Sequence, residues 1–97
     1  MSLALHPKVY SDIDKIMEYY EREGSSELAD DFYSELRHFM LEASKRPSSF
    51  SVRVSDVRRA NLHRFPYHFL FRVKGEMVKI LVVRHNHRHP SFGLRRR

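Results

Sequence analysis

Hydrophobic residues along this chain recur with two different spacings, and the change near Pro47 divides it into a helical half and a stranded half. From Val9 to Glu23 the apolar side chains Val9, Ile13, Ile16, Met17 and Tyr20 fall three or four residues apart, the repeat of one helix face. Pro7 suits the first turn of that helix, where its missing N–H is harmless. Gly24 can end it, and Ser25 or Ser26 can cap the next. A second stripe, Leu28, Phe32, Leu36, Phe39, Met40 and Ala43, predicts a helix from about Ser26 to Arg46, stopped by Pro47. Ser48 to Ser51 reads as loop. Beyond it the period becomes two, which predicts strands over Val57–His63, His68–Val73 and Met77–His85. Lys74-Gly75-Glu76 supplies a hairpin turn between the last two. Leu3-Ala4-Leu5 adds a short strand at the start.

The order strand, helix, helix, then three strands in an antiparallel meander predicts an α+β fold of two layers, with a helical hairpin on one face of a sheet. A chain of 97 residues is one domain, 1–97. Segment 91–97, ending in Arg95-Arg96-Arg97, reads as a flexible basic tail. The tyrosines Tyr10, Tyr19, Tyr20 and Tyr33 read as helix packing. Asp12, Asp14, Glu18 and Glu21 read as a solvated helix face.

Charge is strongly polarised. Residues 1–50 carry 6 Lys/Arg and 10 Asp/Glu, a balance of −4, and residues 51–97 carry 12 and 2, a balance of +10, which together give the net +6. Such a chain presents a basic surface and attracts anionic partners. With no cysteine, disulfides and thiolate metal sites are excluded, and a reducing cytoplasm is the expected compartment. No signal-peptide pattern is visible, and no apolar run is long enough to span a membrane. There is no Gly-rich phosphate loop and no Gly-x-Ser-x-Gly nucleophile motif.

If Leu62, Phe69, Phe71 and Val73 face the helices, alternation puts Arg59, Asn61, His63, His68, Arg72, Lys79 and His85 on the open face of the sheet. Arg and Lys can stabilise charge on a phosphate, and a His near its ordinary pKa can exchange a proton. The same side chains would equally hold an acidic partner, or simply keep an uncovered face soluble. His85, His87 and His89 form a His-x-His-x-His run. No carboxylate or cysteine accompanies them, and Asn86 and Pro90 mark the strand's end, so no metal site and no cofactor is assigned.

Several segments, taken in order, resemble the RelE/ParE superfamily of toxins from type II toxin–antitoxin modules, also called plasmid stabilisation proteins. In the first helix the similar stretch runs Ser11-Asp12-Ile13-Asp14-Lys15-Ile16-Met17-Glu18-Tyr19-Tyr20. The second helix contributes Ser34-Glu35-Leu36 and Arg46-Pro47. The most specific part is Arg64-Phe65-Pro66-Tyr67, followed by Phe71-Arg72-Val73, Gly75, Val78, Ile80-Leu81, His85, Arg88 and Pro90. The resemblance implies the fold given above and a cognate antitoxin as partner. It also implies one of two activities. ParE-like members inhibit DNA gyrase, and RelE-like members cleave mRNA at the ribosome. In the nuclease case His68, His85 and His87 would exchange protons. The residues expected to hold phosphate or a partner are Arg59, His63, Arg64, Arg72, Arg84 and Arg88. The Arg-Phe-Pro-Tyr element is similar to the ParE side. The ribonuclease branch usually has Arg where His68 stands, and a later tyrosine that this chain lacks. Gyrase inhibition is therefore the leading expectation, with mRNA cleavage or an inactive antitoxin-binding homologue as alternatives.

Overall fold

The computed structural model describes residues 1–97. Strand β1 (Ser2–Leu5) leads into α1 (Pro7–Glu23) and α2 (Ser26–Lys45). A 3-10 turn (Pro47–Ser49) then opens onto β2 (Ser51–Val54), β3 (Val57–Asn61), β4 (Tyr67–Lys74) and β5 (Met77–His85). The strands form one sheet in the order β1-β5-β4-β3-β2, with β1 parallel to β5 and every other pairing antiparallel.

Local chemistry sets the helix ends. His6 caps α1 by accepting the Lys8 N–H on Nδ1 at 3.1 Å, and Pro7 occupies the first turn. Ser25 caps α2, its hydroxyl accepting the Leu28 N–H at 3.0 Å. Gly24 closes α1 by donating its N–H to the Tyr20 carbonyl. Both apolar stripes turn inward onto one face of the sheet. Val9, Ile13, Ile16, Phe32, Leu36 and Met40 meet Leu62, Phe65, Phe69, Phe71, Val78 and Ile80 in a single core. Phe32 lies at the aromatic centre, with its ring 5.5 Å from those of both Phe65 and Tyr67.

The two-layer α+β expectation holds, but the sheet has one more strand than the sequence suggested. Ser51, expected in a loop, begins β2. All four β2 residues are exposed, so no buried face revealed the strand in advance. Pairing with β3 holds it, through a turn in which Ser55 takes φ 53°.

A bulge in β5 accounts for the largest departure from simple alternation. Leu70 pairs with Val82 but the next residue, Phe71, pairs with Ile80, so Leu81 is an extra residue in β5. Leu81 and Val82 both reach the open face, where they cluster with Val57 and Leu70. Beyond the bulge the parity is reversed: Val83 joins the main core, Arg84 takes the open face and His85 passes to the helix side beside Tyr67.

The C-terminal segment 91–97, expected to be flexible, is docked on the sheet. Phe92 and Leu94 pack against the open-face cluster. Gly93 sits so close to Val82 that a Cβ at this position would lie 2.5 Å from the valine Cβ, and its φ is +82°. Gly93→Ala is therefore expected to lower stability by about 1–2 kcal/mol, through backbone strain and overpacking together. Urea denaturation would show the loss, and an unchanged midpoint would mean that the segment adjusts freely.

Candidate functional site

The open sheet face is where sequence reasoning placed the chemistry, and the structure sorts those residues into three groups. The first is buried. His68 on β4 is 1% exposed. Its Nδ1 lies 2.8 Å from Asn86 Oδ1, and its Nε2 accepts from Arg84 Nε at 2.8 Å. An amide oxygen only accepts and a guanidinium only donates, so the proton sits on Nδ1 and the ring is neutral. Burial above all, then the charges of Arg59, Arg84 and Arg53, push its pKa down to about 4, although the Asn86 hydrogen bond opposes the shift. A histidine enclosed in this way is withdrawn from solvent and is held neutral near pH 7, unlike the open-face group with an ordinary pKa that the sequence suggested.

Arg84 is likewise withdrawn from solvent, at 8% exposure. Its Nη1 donates to the carbonyls of His89 at 3.3 Å, Pro90 at 2.7 Å and Phe92 at 2.7 Å. Burial lowers its pKa, with Arg59 adding to the effect. Those bonds engage Nε and Nη1 inside the protein, so Arg84 clamps the start of the C-terminal segment.

The second group lies off the open face. The chain leaves β3 after Asn61, and the His63 ring packs 4.7 Å from Phe39 of α2. Glu35 accepts the backbone N–H groups of both His63 and Arg64, and the Arg64 guanidinium pairs with Asp31 at 2.9 Å. These residues tie the β3–β4 loop to α2. His85, carried to the helix side by the bulge, meets Tyr67 edge to face with ring centroids 5.1 Å apart and accepts the His87 N–H on Nδ1. Burial raises the pKa of Tyr67 and pushes that of Tyr20 up to about 12, so neither phenol is ionised at neutral pH. His85, His87 and His89 do not converge as a set of metal ligands.

The third group remains open to solvent or partly so. Arg72 on β4 pairs with Asp56 at 3.0 Å. Arg59 on β3 donates Nε to Asn61 at 2.8 Å, and burial together with neighbouring Arg53 lowers its pKa. Arg53 was not singled out from the sequence because β2 itself was missed. With Arg59 and Arg84 it borders a pocket of about 330 Å³ whose apolar wall includes Val57, Leu70 and Leu94. Arg88 lies over the Phe92 ring at 4.1 Å.

Asp12 departs furthest from its expected role as a solvated helix carboxylate. It accepts the Val83 N–H at 3.1 Å and pairs with Arg96, which also donates to the Leu81 carbonyl at 3.2 Å. Strand β1 ends where Leu5 meets Ile80, so the outer edge of β5 beyond that point has no strand beside it. The Asp12–Arg96 pair satisfies that edge with side chains in place of a ladder. By contrast Tyr10, Tyr19 and Tyr33 are exposed, not packed as expected, and only Tyr20 joins the core.

The family model described as the ParE toxin of the type II toxin–antitoxin system, parDE, matches residues 3–90. This chain belongs to the ParE toxin family. Among solved structures it is similar to one described as the chromosomal ParDE TA system from P. aeruginosa. The TM-score is 0.77 at 27% sequence identity, over 88% of this chain and 95% of that one. No curated protein matches it in sequence. In this ParE-family chain, Arg84 reaches from the matched region into the docked segment that lies beyond it.

Proposed function

We propose that this ParE-family toxin acts by inhibiting DNA gyrase and is neutralised by a cognate antitoxin in the cytoplasm. The observation that carries this reading is the enclosure of His68 and Arg84. Two of the candidates for RNA cleavage are bound to each other, and one of them, Arg84, is also bound to the C-terminal segment. What stays exposed on the sheet is cationic and suited to binding, with no base poised near neutrality among the buried groups. The antitoxin reading draws support from family membership and from the charge asymmetry, since an acidic segment complements a surface with the +10 balance of residues 51–97.

A supercoiling assay with purified gyrase and relaxed plasmid tests the proposal. Supercoiling is expected to fall as toxin is added and to recover when the antitoxin is supplied. Full supercoiling in excess toxin, together with ribosome-dependent cuts in mRNA read by primer extension, would replace this reading with the ribonuclease one. Exposed His87 and half-exposed His85 would then be the proton carriers to mutate.

A further inference from the structure

A cleft of about 760 Å³ opens where the start of α1 faces the docked C-terminal segment. Its cationic lining comes from Lys8 on one side and Arg95, Arg96 and Arg97 on the other, with His6 between them. No acidic side chain lines it, and Phe92 is its one apolar residue. Arg96 is already neutralised by Asp12. Lys8, Arg95 and Arg97 form no ion pair and no side-chain hydrogen bond, and all three are exposed. The first turn of α1 contains no acidic residue to offset them. Burial above all, then Arg96, Lys79 and Lys8, lower the pKa of His6, with Asp12 opposing the shift.

Like charges brought together without a counter-charge inside the protein favour an anion from outside. We propose that this cleft grips the phosphodiester backbone of duplex DNA, through Lys8, Arg95 and Arg97. The lining favours nucleic acid over a protein partner. Protein interfaces centre on buried apolar anchors, whereas DNA-binding surfaces are polar and strongly cationic. Here one phenylalanine stands among cations and polar groups. The contacts are to backbone phosphates, so binding is indifferent to sequence and sensitive to salt. The choice of duplex DNA over RNA rests on the gyrase reading above, because gyrase presents its inhibitor with duplex DNA.

Fluorescence anisotropy of a labelled duplex of about 20 base pairs, with no gyrase present, is the test. The triple variant Lys8→Ser, Arg95→Ser, Arg97→Ser leaves the Asp12–Arg96 pair and the Phe92 contact in place. It is expected to weaken binding by about tenfold or more at low salt, and to reduce the slope of log K against log salt by about 2.7, the value for three lost phosphate contacts. A second triple variant, Arg37→Ser, Lys45→Ser, Lys74→Ser, removes the same charge elsewhere and is expected to change affinity far less. Equal losses in both variants, preferential binding of single-stranded RNA, or no binding by the wild type would each overturn the inference. Gyrase inhibition by a wild-type toxin that does not bind DNA would overturn it and leave the gyrase reading standing. DNA binding with the expected variant effects but no gyrase inhibition would do the reverse.

Discussion

Replacing Arg84 with methionine is expected to release the C-terminal segment from the sheet and to cost about 3–5 kcal/mol of stability, close to the loss on breaking a buried charge network. The guanidinium is the only donor to the carbonyls of Pro90 and Phe92, and it supplies the proton that His68 Nε2 accepts. Methionine fills much of the volume but donates nothing, so the His68 acceptor stays buried without a partner. The carbonyls can recover hydrogen bonds only by lifting into water. That movement would strip Phe92 and Leu94 from Val57, Leu70, Leu81 and Val82. Amide exchange distinguishes this from a uniform loss of stability. The N–H groups of Phe92, Leu94 and Arg96 are bonded within the segment, to the carbonyls of His89, Ser91 and Gly93. They should lose protection in the variant under conditions where the β4 and β5 amides keep theirs. Arg84→Lys should recover little, because one ammonium cannot serve both the His68 ring and the carbonyls. Unaltered protection across residues 92–96 in the methionine variant would rule out the clamp.

Stability is also expected to fall as the pH drops from about 6.5 to about 4, and His68 should account for much of the fall. In the unfolded chain its imidazole takes up a proton near the ordinary value of 6.5, whereas in the fold it does so only near 4. Between those values the unfolded state binds more protons, so stability declines as pH falls. The neutral ring contributes fully above about pH 6.5, and the contribution has gone once the pH reaches about 4. A displacement of this size corresponds to about 3 kcal/mol. Urea denaturation across that range, for wild type and His68→Gln, would measure it. Glutamine offers a neutral donor and acceptor but does not titrate, so the variant should be less stable near neutrality and flatter with pH below it. Parallel pH profiles for the two proteins would mean that other groups govern the acid limb.

Legibility differs sharply between the two layers. Both helices were readable to within a residue or two, because their burial follows a strict three-and-four repeat and each carries its own punctuation: Pro7 and Gly24 for α1, Ser25 and Pro47 for α2. The inward face of β4, and of the residue that follows β3, was equally plain in Phe69, Phe71, Val73 and Leu62. β2 was not, because an edge strand exposed along its whole length leaves no burial pattern. The docked segment was misread from its arginines, yet Phe92 and Leu94, two apolar residues flanking Gly93, carried the opposing signal.

The sequence by itself determined the α+β architecture, the order of its elements and the basic character of its second half, because periodicity, caps and charge are local properties. The tertiary structure alone decided which basic residues are available. One extra residue in β5 moved His85 to the helix side and placed Arg84 on the open face. There the C-terminal segment covered Arg84, and a hydrogen-bonded chain enclosed His68. Nothing in a residue's neighbours along the chain announces a bulge, or the return of a segment from fifteen residues away to bond the Leu81 region through Arg96. Both depend on how a sheet edge left without a strand satisfies its backbone, and only the assembled fold settles that.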